Sequence, residues 1–391
     1  MRARPAATRA LFPALLLLLG SCSGLALAEV AVRVLYPHAR DHVLPAGFFA
    51  MDPMLGWGYR PDHSVTHRTR YFSATYTTNR LGYRDSTRSA APTPGRTRVL
   101  VFGDSQVFGW GIPKGRRFTD LLETRHPDLE VWNLGVVGYG FDQELLAYER
   151  LGARLHGEVI VLFATWYTLE RAKSAYLYRK HKPRFVLRGS DSLTLLPPAG
   201  KATALTQLAY EMLSPLYLPY FLERRIGAVR TRRSPKPVAA GERAVGDTRV
   251  SALDALTEAM FARAARVASS RGQRLVLLTN LAGVMLEDAR RVAAEHGFEV
   301  VPVELPGSPP EWTFGPEDGH WNDRAHAFVA DRLWEGLARQ QPCKDQESLT
   351  LTSSSGGGPG LSTPSNPTFS SKRCCRLKNR GLSCVAATTT W

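Results

Sequence analysis

Between Cys22 and Cys343 the chain has no cysteine at all, although it runs to 391 residues and holds five. No disulfide and no thiolate metal centre can therefore form within 23–342. The other cysteines crowd the far end, and Cys374, Cys375 and Cys384 make a histidine-free cluster that offers at most a weak metal site. Internal repeats are lacking as well. With 33 Gly and 26 Pro the chain falls short of collagen-like or mucin-like composition. At 44% hydrophobic and 22% charged it is not a wholly disordered chain either, and it has apolar content enough for a sizeable core. Its length suits one large domain with appendages, or two domains.

Charge balance is missing too, and the net charge of +15 invites a nucleic-acid reading. The excess is local. Residues 171–250 hold 16 Lys and Arg against 5 Asp and Glu, residues 1–28 add +3 and residues 344–391 add +4. No nucleic-acid motif accompanies this charge, so nucleic acid is not expected as a partner. A basic stretch such as Arg224, Arg225, Arg230, Arg232, Arg233 and Lys236 suits an anionic membrane surface.

Arg2, Arg4 and Arg9 precede an apolar run at 10–28, the pattern of a segment that sends the chain beyond it across a membrane. Three fates fit. Ala26-Leu27-Ala28 suits signal cleavage, Leu19-Gly20-Ser21-Cys22 resembles the lipobox of bacterial lipoproteins, and the run extended to 35 suits an uncleaved anchor. All three place the globular part outside the cytoplasm, membrane-associated, periplasmic or secreted. At the other end, 344–391 is rich in Ser, Thr, Gly and Pro and is expected to be disordered.

Between these ends strands and helices alternate. Apolar runs at 98–103, 129–134, 159–164, 274–279 and 298–303 read as buried strands. Helical spacing marks 118–124, 141–155, 251–270, 284–296 and 322–337. This order predicts an α/β fold, a three-layer sandwich around a five-stranded parallel sheet, with its chemistry at the carboxyl ends of the strands. A small β-rich lead-in is expected at 46–95 and the main domain at 96–342. An insertion at 172–250 interrupts it with a hairpin (184–187 and 192–196) and an apolar helix at 205–221.

Three loops carry candidate chemistry. Gly103-Asp104-Ser105 follows the first strand, where a serine at a strand corner can present its hydroxyl and its own N–H to one cavity. Asn133 to Gly140 follows the second, with Gly138 as a second oxyanion donor. Glu317-Asp318-Gly319-His320 precedes the last helix and supplies a base and an acid.

Together these blocks resemble the GDSL or SGNH hydrolases over roughly residues 50–340. Asp52-Pro53, Gly56-Trp57 and Asn79 to Asp85 resemble the lead-in of membrane-tethered bacterial members. The resemblance implies the flavodoxin-like SGNH fold, Ser105 as nucleophile, His320 as base, and oxyanion donors at Ser105 and Gly138. For the acid both Glu317 and Asp318 fit known spacings, and Asp318 is preferred. The family's third block supplies an asparagine as a further donor. Here Thr165-Trp166-Tyr167-Thr168 follows the third strand with no asparagine, so Thr168 or Tyr167 would have to substitute. The implied function is an extracytoplasmic serine esterase or O-acyltransferase acting on an acyl ester of a carbohydrate or lipid, with no cofactor and no metal. The alternative is an impaired module of the same fold that binds glycan or an anionic membrane surface.

Overall fold

Strands whose side chains are apolar on both faces have to be covered on both faces, and they form the centre of the molecule. The structure, a computed structural model, describes residues 6–189, 192–200, 204–233, 253–307, 309–339, 375–377 and 382–384. It opens with helix α1 (Ala6–Leu35) and two antiparallel hairpins. These are β1 (Phe49–Asp52) with β2 (Gly56–Tyr59), and β3 (Ser64–Arg68) with β4 (Ser73–Thr77). Next come β5 (Thr97–Gly103), α2 (Ser105–Phe108), α3 (Phe118–Arg125), β6 (Leu129–Gly135), α4 (Phe141–Leu151), β7 (Val159–Ala164) and α5 (Trp166–Ala172).

The interruption holds hairpins β8 (Tyr176–Leu177) with β9 (Lys180–His181) and β10 (Arg184–Arg188) with β11 (Ser192–Leu196). Helices α6 (Ala204–Leu213) and α7 (Leu218–Arg233) complete it. The alternation resumes with α8 (Ala255–Ser270), β12 (Arg274–Thr279), α9 (Gly283–His296) and β13 (Glu299–Pro302). A short hairpin, β14 (Thr313–Gly315) with β15 (Asp318–Trp321), leads into α10 (Asp323–Ala338). In the tail, β16 (Cys375–Leu377) pairs antiparallel with β17 (Leu382–Cys384). The rest of 344–391, including the expected disorder there, lies outside the described residues.

The main sheet has the order β13–β12–β7–β5–β6, every pairing parallel. Read from β6 this is the 2-1-3-4-5 order of flavodoxin-like sheets, whose switch point falls between β5 and β7. The expected α/β sandwich with five parallel strands is what the chain forms. Ser105 follows β5, at the switch point.

Three local expectations change. The apolar stretch at 205–221 is two helices, because Pro215 has no N–H to continue the first. The second runs on to Arg233, so the arginines of the basic stretch sit on a helix. Of their side chains only that of Arg225 is described, and Lys236 lies outside the described residues. Lastly, the segment around His320 is a strand of a hairpin and not a loop.

Two buried polar contacts tie distant elements together. Lys182 of the insertion pairs with Asp142 at the start of α4, both side chains fully buried. Burial pushes Asp142 up to about 6 against the opposing charge of Lys182. His326 of α10 accepts the Phe118 N–H at 3.0 Å through Nδ1. Burial, reinforced by Arg117 and Arg84, pushes His326 down to about 3. The unfolded chain therefore binds a proton below about pH 6.5 that the folded chain refuses, so this contribution to stability is complete above that pH and lost as pH falls. At pH 5 the loss should be about 2 kcal/mol. Denaturant unfolding at pH 7 and pH 5 checks it. His326→Asn, which keeps an acceptor for Phe118, should remove that part of the acid sensitivity, and an unchanged difference between the two pH values would contradict it.

Candidate active site

Two glycines let the turn at Ser105 form. Gly103 ends β5 opposite Gly135 of β6. A Cβ on Gly103 would meet Val107 Cγ2 at 2.2 Å, and one on Gly135 would meet the Phe108 backbone nitrogen at 2.3 Å. Without those atoms α2 folds tightly over the strand ends. Asp104 caps it, its carboxylate accepting the Gln106 N–H at 2.9 Å. Ser105 is then the first residue of α2, buried, with its hydroxyl directed at His320.

His320 Nε2 lies 2.9 Å from Ser105 Oγ, and its Nδ1 lies 2.6 Å from Asp318 Oδ1. A carboxylate only accepts, so Nδ1 carries the proton and Nε2 is left to accept from the serine. Asp318 also accepts the His320 backbone N–H at 3.1 Å and the Trp110 indole N–H at 3.1 Å. Burial alone would raise this carboxyl. The hydrogen bonds and charge of His320, with the Trp110 contact, outweigh it and hold Asp318 below the ordinary value. Trp110 stacks on the imidazole at 4.8 Å, and Trp321 donates its N–H to Gln106 at 3.0 Å, locking β15 to α2. Glu317 instead pairs with Arg70 at 3.3 Å. Of the two acids, it is Asp318 that touches the imidazole.

Gly138 sits in the loop after β6 at φ 82°, a backbone conformation that favours glycine. The lead-in holds this loop. Tyr59 Oη accepts the Val137 N–H at 2.6 Å, Trp57 Nε1 donates to the Val137 carbonyl at 3.1 Å, and Tyr139 donates to the Trp57 carbonyl at 2.6 Å. Arg84, also from the lead-in, donates to the Phe108 and Gly109 carbonyls at the end of α2, at 3.0 and 2.6 Å. The two lead-in segments thus clamp two of the candidate loops.

Over Gly138 lies Tyr178, in a tight turn where both Tyr178 and Arg179 have positive φ. A Cβ on Gly138 would come 2.8 Å from the Tyr178 ring. Gly138→Ala should therefore cut ester turnover by about 10²-fold or more, the scale of a lost oxyanion donor. Tyr178→Ala in the same chain removes the clash but not the strain, and should restore part of the rate. An active Gly138→Ala would remove Gly138 from the oxyanion site.

The third strand brings no substitute from Thr168. Its hydroxyl donates to the Thr165 carbonyl at 3.0 Å and accepts the Thr165 N–H at 2.9 Å, closing the cap of α5. That proton is committed, so the expected donor role for Thr168 is withdrawn. Tyr167 is exposed to solvent. What α5 does bring is Arg171, which donates to Asp104 at 2.8 Å and to the Tyr139 carbonyl at 3.2 Å. It bridges the Ser105 turn and the Gly138 loop. In the sequence Arg171 was only one cation among those of 171–250. No group of three or more His, Cys, Asp and Glu among the described residues could hold a metal.

No family model matches the chain, and no curated protein matches it. Among solved structures it is similar to TesA, at 15% identity over 62% of this chain and 99% of that one, with a TM-score of 0.36. It is also similar to a member of the lipolytic G-D-S-L family from Veillonella parvula, at 14% identity over 62% of this chain and all of that one, with a TM-score of 0.34. A lipase/acylhydrolase from Enterococcus faecalis is similar at 13% identity over 63% of this chain and 98% of that one, again with a TM-score of 0.34.

Proposed function

We propose that this chain is a membrane-held, extracytoplasmic serine esterase or O-acyltransferase acting on an acyl ester of a carbohydrate or lipid. The observation that carries the reading is the hydrogen-bonded line from Ser105 Oγ through His320 to Asp318. His320 Nε2 takes the hydroxyl proton as Ser105 Oγ bonds to the acyl carbon. The carbonyl electrons move onto oxygen, held by the N–H groups of Ser105 and Gly138. Collapse expels the alcohol, which leaves with the proton from the imidazolium. Water or a sugar hydroxyl then attacks the acyl-serine by the same steps, giving hydrolysis or transfer. Asp318 orients the imidazole throughout and stays ionised.

The second reading, a module that binds without turnover, is favoured by the missing asparagine and by the closed cap around Thr168. Short-chain p-nitrophenyl esters separate the two. Turnover that depends on Ser105 supports the enzyme, and none from the folded protein supports the binding module.

A further inference from the structure

Helix α1 is more than an appendage at its carboxyl end. Its segment Phe12–Leu35 is long and apolar enough to cross a membrane, with Leu17 and Leu27 more than two-thirds exposed. Yet its last turns are built into the domain. Glu29 accepts the N–H groups of Tyr217 and Leu218, each at 2.8 Å, and so caps α7. Beyond the helix, Arg40 donates to the Pro215 carbonyl at 3.2 Å. The Tyr36 ring meets Phe221 at 4.6 Å, and the Arg225 guanidinium lies over both rings. These contacts fix where the domain stands relative to the end of the apolar helix.

Between that end and the candidate catalytic residues lie two clefts that meet at the Arg70–Glu317 ion pair, together a trough. A cleft of about 420 Å³ is lined by Leu35 and the residues just after it, with Phe221 and Arg225. A second, of about 230 Å³, is lined by Trp110, Asp318 and His320. Arg70 and Glu317 line both, so the two clefts adjoin. Ser105 is one hydrogen bond beyond His320. Leu222 and Ile226 add exposed apolar side chains on α7. Scattered apolar residues need no explanation, but these lie on the helix that α1 caps.

We infer that the ester handled at Ser105 is carried by a lipid that stays in the bilayer. Its anionic head would enter the trough where α1 ends, and Arg225 would hold it there. A substrate whose tail stays in the membrane can rise only a short way above the surface. The trough begins at that level and ends at His320. This inference rests on the esterase reading and adds the class of substrate and its direction of entry.

The test uses the full chain in phosphatidylcholine nanodiscs and three probes: a fluorogenic short-acyl ester of phosphatidylglycerol in the same bilayer, soluble p-nitrophenyl acetate, and a soluble acetylated xylo-oligosaccharide. The wild type should turn over the lipid ester. Arg225→Glu, on an exposed helix face, should lower that rate by about tenfold while leaving p-nitrophenyl acetate within about twofold. Arg225→Lys should keep most of the lipid-ester rate, since it keeps the charge. Turnover of both soluble esters without the lipid ester would overturn the lipid assignment and leave the esterase reading intact. An Arg225→Glu variant with full lipid-ester rate would overturn the route. Absence of turnover on all three probes would overturn the esterase reading and this inference with it.

Discussion

Ser105→Ala should reduce ester turnover by about six orders of magnitude, as loss of the nucleophile does in serine hydrolases that work through a histidine base. Ser105 Oγ is the oxygen 2.9 Å from His320 Nε2, and alanine leaves that position without a hydroxyl. The fold should survive. Ser105 is the first residue of a four-residue helix whose cap comes from Asp104 and whose far end is held by Arg84. Turnover measured with a thermal unfolding curve for the same sample checks both halves. A Ser105→Ala variant that unfolds at the wild-type temperature and keeps its rate would end the serine mechanism.

Asp318→Asn should cost about 10⁴-fold in turnover, while Glu317→Gln should leave it nearly unchanged. An asparagine at 318 can still accept from Trp110, but turning its amide N–H toward Nδ1 favours the other tautomer. Nε2 then carries the proton and cannot accept from Ser105. Glu317 pairs with Arg70 at the surface, where an exposed ion pair contributes little. The two variants differ by one position in the chain. The reverse pattern of rates would move the acid to Glu317.

The central sheet was legible because β7 is apolar throughout and β5 and β12 carry unbroken apolar runs at 99–103 and 275–278, which only a doubly covered strand tolerates. The break at Pro215 was legible in principle, since proline cannot donate within a helix. An apolar run on both sides of it masked the break. The candidate site divides in the same way. Ser105, Gly138 and His320 stand at strand ends or beside turns, where residue type itself signals chemistry. The clamps around them do not. Trp57 holds Val137 from 80 residues away, Arg84 reaches Phe108 from 24 away, and Arg171 reaches Asp104 from 67 away. Such contacts exist only once the sheet order is set. Thr168 shows the opposite failure. A hydroxyl at the right place in sequence was already spent on the nearest backbone, as threonines at helix starts commonly are.

The measurement that bears most directly on the central claim is covalent labelling of the folded wild-type chain with a fluorophosphonate, read by intact mass and peptide mapping. The probe reacts only with a serine whose proton a neighbouring base can take. The account predicts a single adduct on Ser105, none on Ser105→Ala, and labelling of Asp318→Asn slowed by orders of magnitude. A folded wild-type chain that stays unlabelled, or an adduct on another serine, would contradict it.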